Sequence, residues 1–112
     1  GNDCLDFSFG EYKIENIDLK KCGDKGISVG EKSNAYFNSV KIQETNIGIA
    51  SKDSSLVEAN IVNIIDSKTC VSAYKKKQEF NFADIEIEKM DCYNFKKQFL
   101  IDRGSTINIK NL

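Results

Sequence analysis

Proline and histidine are both missing from the 112 residues. The second absence carries chemical weight, because imidazole is the commonest general base and the commonest metal ligand. A Ser-His-Asp triad, a Cys-His pair and a His-ligated zinc site are therefore excluded within this chain. An excess of one charge is lacking too. Sixteen Lys and Arg against seventeen Asp and Glu leave a formal net charge of -1, so no global field draws nucleic acid. No apolar run approaches the ~20 residues that span a bilayer, so membrane insertion is not expected. The N-terminus shows no signal-peptide pattern. Cys4, Cys22, Cys70 and Cys92 are separated by 18, 48 and 22 positions, which matches no CxxC zinc or redox motif. Neither a metal nor a cofactor is expected.

What is present is a repeat. In blocks of 22 a column of small residues emerges: Cys4, Gly26, Gly48, Cys70 and Cys92. Beside it run Leu5, Ile27, Ile49, Val71 and Tyr93, and two positions on Phe7, Val29, Ser51, Ala73 and Phe95. This alternation marks a strand with one buried face. The rest of each block follows the template apolar-x-apolar-x-x-apolar-x-apolar. Its apolar positions are Tyr12, Ile14, Ile17, Leu19; then Ala35, Phe37, Val40, Ile42; then Val57, Ala59, Val62, Ile64. A fourth block reads Phe80, Phe82, Ile85, Ile87, and a fifth retains Ile107 and Ile109, with Asp102 and Gly104 where apolar residues are expected. The internal period of 2 and the β-branched and aromatic content exclude helix. No Asn-Gly or Asp-Gly joins the segments as a hairpin turn would.

The expectation is an all-β chain: a single right-handed parallel β-helix of about five rungs of 22–23 residues, three short strands to a turn. It occupies residues 1–112 as one domain, and the chain is expected to be a piece of a longer protein. Rungs about 4.8 Å apart give a stack roughly 24 Å long. Asn16, Asn38 and Asn60 stand near one bend, where stacked amides can bond up the column. Phe7, Phe37, Phe80, Phe82 and Phe95 fall on inward positions, whereas Phe9 and Tyr74 fall outward or in loops. Directly stacked cysteines do not readily reach the ~3.8 Å Cβ spacing of a disulfide. Free thiols filling a narrow corner are expected ahead of a Cys70–Cys92 pair, with Cys22 the least constrained.

The segments GDKGISVGEKS (23–33), NIGIASKDSS (46–55) and AYKKKQEF (73–80) resemble the right-handed β-helix repeats of the pectate-lyase-like superfamily. They are especially similar to bacterial repeats of secreted or surface proteins, some beside CotH-type kinase domains. The resemblance implies an extracytoplasmic setting. It covers lyases, hydrolases, epimerases, tailspikes and plain scaffolds, so it implies no single activity.

The connection between the first two strands lengthens along the stack, and insertions in a solenoid gather on one face. That connection carries Lys32, Lys52, Lys75, Lys76, Lys77, Lys96 and Lys97. Like charges stacked about 5 Å apart repel, and a bound anion relieves the repulsion. The candidate ligand-binding set is therefore these lysines with Asp53 and Tyr74, assisted by Ser33, Ser54, Ser55, Gln78 and Gln98. The expected ligand is an anionic polysaccharide. The competing reading is a solvated edge neutralised by Glu31, Asp53 and Glu79, where lysines guard against sheet-to-sheet association.

No catalytic residue is assigned. The alternative reading is part of a polysaccharide lyase, hydrolase or epimerase, with Lys52-Asp53 beside Glu31 imitating the base and carboxylates of the lyases that the chain resembles. Asp84, Glu86 and Glu88 share a strand face but are read as an acidic solvent-facing strand, not a calcium site. No capping helix is evident at either end, so missing rungs or end-to-end self-association are expected to cover the open core.

Overall fold

The computed structural model describes residues 2–112. Seven strands form one sheet paired entirely in parallel, and no helix occurs among the described residues. The strands are β1 (Leu5–Ser8), β2 (Glu11–Lys20), β3 (Lys25–Gly30), β4 (Asn34–Lys52), β5 (Leu56–Tyr74), β6 (Asp84–Ile101) and β7 (Thr106–Asn111). Successive coils lie on one another as a parallel β-solenoid of about five turns. Three faces enclose the core. Residues 34–37, 39–43 and 45–52 of β4 supply one segment to each, and β5 repeats the arrangement in register.

Burial follows the alternation read from the sequence. Ile17, Val40, Val62 and Met90 stack as one inward column, and Leu19, Ile42, Ile64 and Cys92 as another. On the third face Leu5, Ile27, Ile49, Val71 and Phe99 are successive neighbours. Phe37, Ile27, Ile42, Ile49 and Ile85 are fully buried, each side chain worth ~1.5–3 kcal/mol relative to exposure.

Two of the three corners turn on left-handed residues. The corner between the second and third faces places Lys21, Glu44, Asp66 and Asn94 in left-handed conformation, with φ of 55°, 58°, 60° and 56°. Each such L-residue costs ~1–2 kcal/mol, offset where the bend lets backbone bonds continue up the column. Asn94 Nδ2 donates to Asp66 Oδ1 at 2.6 Å, tying two of these bends together. At the other corner Phe9, Glu31, Lys32, Asp53 and Ser54 are left-handed. The bend between the first and second faces carries the asparagine ladder, with Asn60 Nδ2 donating to Asn38 Oδ1 at 3.2 Å. Asn16 misses the column by one place, since it pairs with Ser39.

The structure corrects the register of the last coils. Val57, Ala59, Val62 and Ile64 are covered by Ile85, Ile87, Met90 and Cys92, each 28 positions on. The extra residues form an excursion at 75–83, and the 22-residue frame runs out of step after it. Phe80 and Phe82 consequently sit in the excursion and not in the core, with Phe82 43% exposed. Phe95 stacks on Ser67 and is 40% exposed. Ile107 and Ile109 cover Ile85 and Ile87, so they begin a coil where the sequence frame had them ending one.

The thiol expectation is overturned as well. Disulfides join Cys4 to Cys22 and Cys70 to Cys92, and no described cysteine is free. Stacking was the wrong geometry to test. Cys92 lies above Ile64 on the second face, while Cys70 occupies the small column of the third. The bond crosses the corner between faces and coils. In the coils below, Gly26 lies against Ile42 and Gly48 against Ile64. The Cys70–Cys92 bridge thus takes the place of a glycine–isoleucine contact.

Candidate functional site

The corner joining the third face to the first is a tight turn in the early coils and an excursion in the fourth. Ser33 and Ser55 are buried there, and Ser33 N donates to Ser55 Oγ at 3.2 Å. Two coils further up the same element recurs, with Ala83 N donating to Ser105 Oγ at 3.1 Å. These hydroxyls stabilise the turn internally and do not face a ligand. Ser54 is committed too: its Oγ accepts from Asn81 N at 2.6 Å.

Residues 75–83 fold back along the corner as a strap over the coils below. Asp53 pins it. Its Oδ1 accepts from the amides of Lys76 at 2.7 Å and Lys77 at 2.9 Å. Asp102 holds the strap's start, its Oδ2 accepting from Lys75 N at 2.7 Å. Partial burial opposes ionisation of Asp102, but hydrogen bonds from the Ser105 hydroxyl and from the amides of Lys75, Ser105 and Gly104 outweigh it and hold its pKa below the usual carboxylate range. Further down, Lys77 Nζ reaches Glu31 Oε1 at 3.4 Å, and Phe80 meets Phe9 at 6.3 Å between ring centroids. Lys75 Nζ lies 4.8 Å from the centre of the Phe82 ring, which itself packs where a Cβ on Gly104 would stand.

Seven of the nine candidate residues meet at this corner. Lys52 ends β4 and pairs with Tyr74 at the end of β5. Lys32 N donates to Asp53 O at 2.9 Å, placing its turn directly beneath. Lys75, Lys76 and Lys77 follow in the strap. Asp53 is part of the group by position only. It is 1% exposed, and its Oδ2 is buried without a partner among the described residues. It offers no exposed carboxylate beside Lys52. Tyr74 is half-buried and borders a hollow of about 300 Å³ with Ile47, Ser72, Leu100, Ile101 and Asp102. Burial raises its phenol pKa, as do the carboxylates of Asp24, Asp53 and Asp3, against the opposing pull of Lys25.

Lys96 and Lys97 do not belong to this group. Lys97 stands above Thr69 on the third face, ahead of the corner by several residues. Lys96 lines a separate groove of about 750 Å³ along the opposite corner, with Asp24, Asn46, Asp66, Lys68 and Phe95. Within that groove Asp24 accepts from Lys25 Nζ at 2.8 Å and from Asn46 Nδ2 at 3.1 Å, and these bonds lower its pKa. Gln98 follows Lys97 on the same strand, away from the strap. Among the described residues no group of three or more potential ligating side chains could hold a metal ion.

The residues that sequence reasoning missed are Asp102, Asn81 and Phe82, which shape the strap. Asp102 left a trace as a polar residue at an expected apolar position. A scan against protein families, a search of curated proteins and a search of solved structures each found no match.

Proposed function

We propose that this chain is a structural and binding module of an extracytoplasmic protein, whose lysine corner contacts an acidic polysaccharide. The observation that carries the reading is the gathering of Lys32, Lys52, Lys75, Lys76 and Lys77 on one corner from three successive coils. Only Lys77 among these five has an ion pair within the described residues. The carboxylate nearest them by position, Asp53, is turned inward onto backbone amides. The corner therefore presents ammonium groups at coil spacing, suited to a chain of carboxylates or sulfates. Two disulfides in 112 residues support a setting outside the reducing cytosol. The likeness of the coils to the pectate-lyase-like superfamily supports the same setting and leaves the activity open.

The test is retention on immobilised polygalacturonate or heparin with a salt gradient. Replacing Lys75, Lys76 and Lys77 by Gln should move elution to markedly lower salt. The same change at Lys13, on the first face, and at Lys110, at the bend that follows that face, should not. Equal retention of the two variants would sink the reading.

A further inference from the structure

The outer side of the third face carries a column of small residues. Ile27, Val29, Ile49, Val71 and Ala73 belong to the core, so Ser28, Ala50 and Ser72 between them are turned outward. Each of the three has a paired strand on both sides. Outward residues of the other faces, such as Glu58, Asn63 and Glu86, are exposed. Ser28, Ala50 and Ser72 are each 0% exposed, so side chains lie across them from outside. That cover leaves hydroxyls unsatisfied. Ser28 Oγ and Ser72 Oγ are buried without a hydrogen-bond partner among the described residues. Such burial is costly, and a polar ligand would relieve it.

Tyr74 and Lys25 supply the cover. Tyr74 borders one hollow with Ser72 and Ile47, so its ring is laid back along the strand over the column. Lys25 pairs with Ile47 and stands two coils and five positions from Tyr74, ~19 Å between Cα atoms. The two groups nonetheless act on each other's ionisation, which requires both side chains to reach toward one another across Ala50. Asp24 holds the tip of Lys25 at 2.8 Å. The next outward column, Gly30, Lys52 and Tyr74, leads to the lysine corner. Lys52 lies flat there, its Cε 2.9 Å from where a Cβ on Gly30 would stand.

We propose that this strip is a sugar subsite with the Tyr74 ring as its movable cover. An acidic polysaccharide lies there along the solenoid axis, its hydroxyl edge on the serine column and its carboxylate edge on the lysine corner. The site presupposes the polysaccharide role given above and adds to it the direction of the bound chain and its contacts. A linked uronate ring suits the arrangement, because it carries its carboxylate on one edge and its free hydroxyls on the opposite one. Ser28 Oγ and Ser72 Oγ stand two coils apart, ~10 Å, a span that two linked rings cover. The displaced Tyr74 ring swings outward and packs against the C–H face of the nearer sugar. Binding thus exchanges a contact within the protein for one with the ligand and satisfies both hydroxyls, as in a pocket that its ligand holds open.

NMR and calorimetry with short oligogalacturonates test this on the 112-residue chain. In the free protein the Tyr74 ring protons should show NOEs to the Ala50 methyl. Saturating ligand should replace them with NOEs to sugar protons. Replacing Ser28 and Ser72 together by Ala should weaken binding about tenfold, the scale of two neutral hydrogen bonds. The same variant should be no less stable in urea than the parent chain, since it deletes two unpaired groups; a merely structural role for the hydroxyls would lower stability and spare affinity. Tyr74→Phe should bind within about twofold of the parent and Tyr74→Ala about fivefold more weakly. A Tyr74 ring that stays in place at saturation would overturn the subsite, as would a serine variant that binds like the parent. The lysine corner would survive either result if the Gln variant of Lys75, Lys76 and Lys77 still lost affinity. A parent chain that binds no oligogalacturonate would overturn both.

Discussion

Replacing Asp53 by Ala removes the acceptor of two amides, those of Lys76 and Lys77. A hydrogen bond to a charged group is worth ~1.5–3 kcal/mol, so the gross loss is about 3–6 kcal/mol. Part is returned, because the buried Oδ2 has no partner and its desolvation cost disappears with the carboxylate. The net expectation is about 2–3 kcal/mol, falling mainly on the strap. Ser54–Asn81, Lys77–Glu31 and Phe9–Phe80 still hold the strap to the corner, and the core columns lie elsewhere. Trypsin reads the opening directly, since three lysines lie in the strap. At 1.4 kcal/mol per tenfold, cleavage after Lys75, Lys76 or Lys77 should accelerate at least about thirtyfold under native conditions. Asp53→Asn, which keeps an acceptor, should fall between. A change of less than threefold in the Ala variant would refute the claim that Asp53 is an anchor.

Other consequences are equally open to measurement. A Cβ at position 48 would lie 2.5 Å from the Cys70 carbonyl oxygen and 2.7 Å from Ile64 Cδ1, so Gly48→Ala should lower the urea-unfolding free energy by about 3 kcal/mol through overpacking. Replacing Cys70 and Cys92 together by Ala, with Cys4–Cys22 intact, frees a loop closed across 22 positions. The loss expected on denaturant titration is about 3 kcal/mol. The pH profile should be flat from about 5 to 9, since no histidine is present. Asp24 and Asp102 have lowered pKa values, so their contribution is present above the ordinary carboxylate value and is lost as pH falls through their folded ones. Lys25, where burial is outweighed by the hydrogen bond to Asp24 and by the charges of Tyr74, Asp3 and Asp24, and Tyr74, raised chiefly by burial, have raised values. Their contribution is present at neutral pH and lost as pH rises through the alkaline range. Thermal melts across pH 2–11 would show a fall only at both extremes; a midpoint near pH 6.5 would contradict this assignment.

The architecture was legible because a solenoid writes each inward column at a constant interval. Ile27, Ile49 and Val71 lie on one another as the 22-residue frame requires. Apart from Asn16, one place off its column, the frame failed where the strap lengthens one coil and shifts Phe80, Phe82, Cys92 and Phe95 out of their assigned columns. Nothing local marked that shift, because Phe80 and Phe82 preserve the apolar spacing of a strand while belonging to a loop. Met90 at the corrected column was the available signal. The Cys70–Cys92 disulfide was missed for the same reason: Cys92 was placed in the wrong column, and the corner that brings it to Cys70 has no counterpart in a one-dimensional repeat. Of the candidate site, the shared position of Lys32, Lys52 and Lys75–Lys77 was readable from insertion length. The inward turn of Asp53 was not, since it depends on a strap folding back over the turns below it.

The strap also shows where this protein tolerates change. Six residues beyond the usual interval are absorbed between Tyr74 and Asp84, yet Val57 still meets Ile85 and Ala73 still meets Ile101. The scaffold thus has a port at which chain length is decoupled from the register of everything beneath it. Foreign peptides grafted between Lys77 and Asn81 would be displayed on a rigid platform, and divergence among natural versions of this solenoid should concentrate at that port.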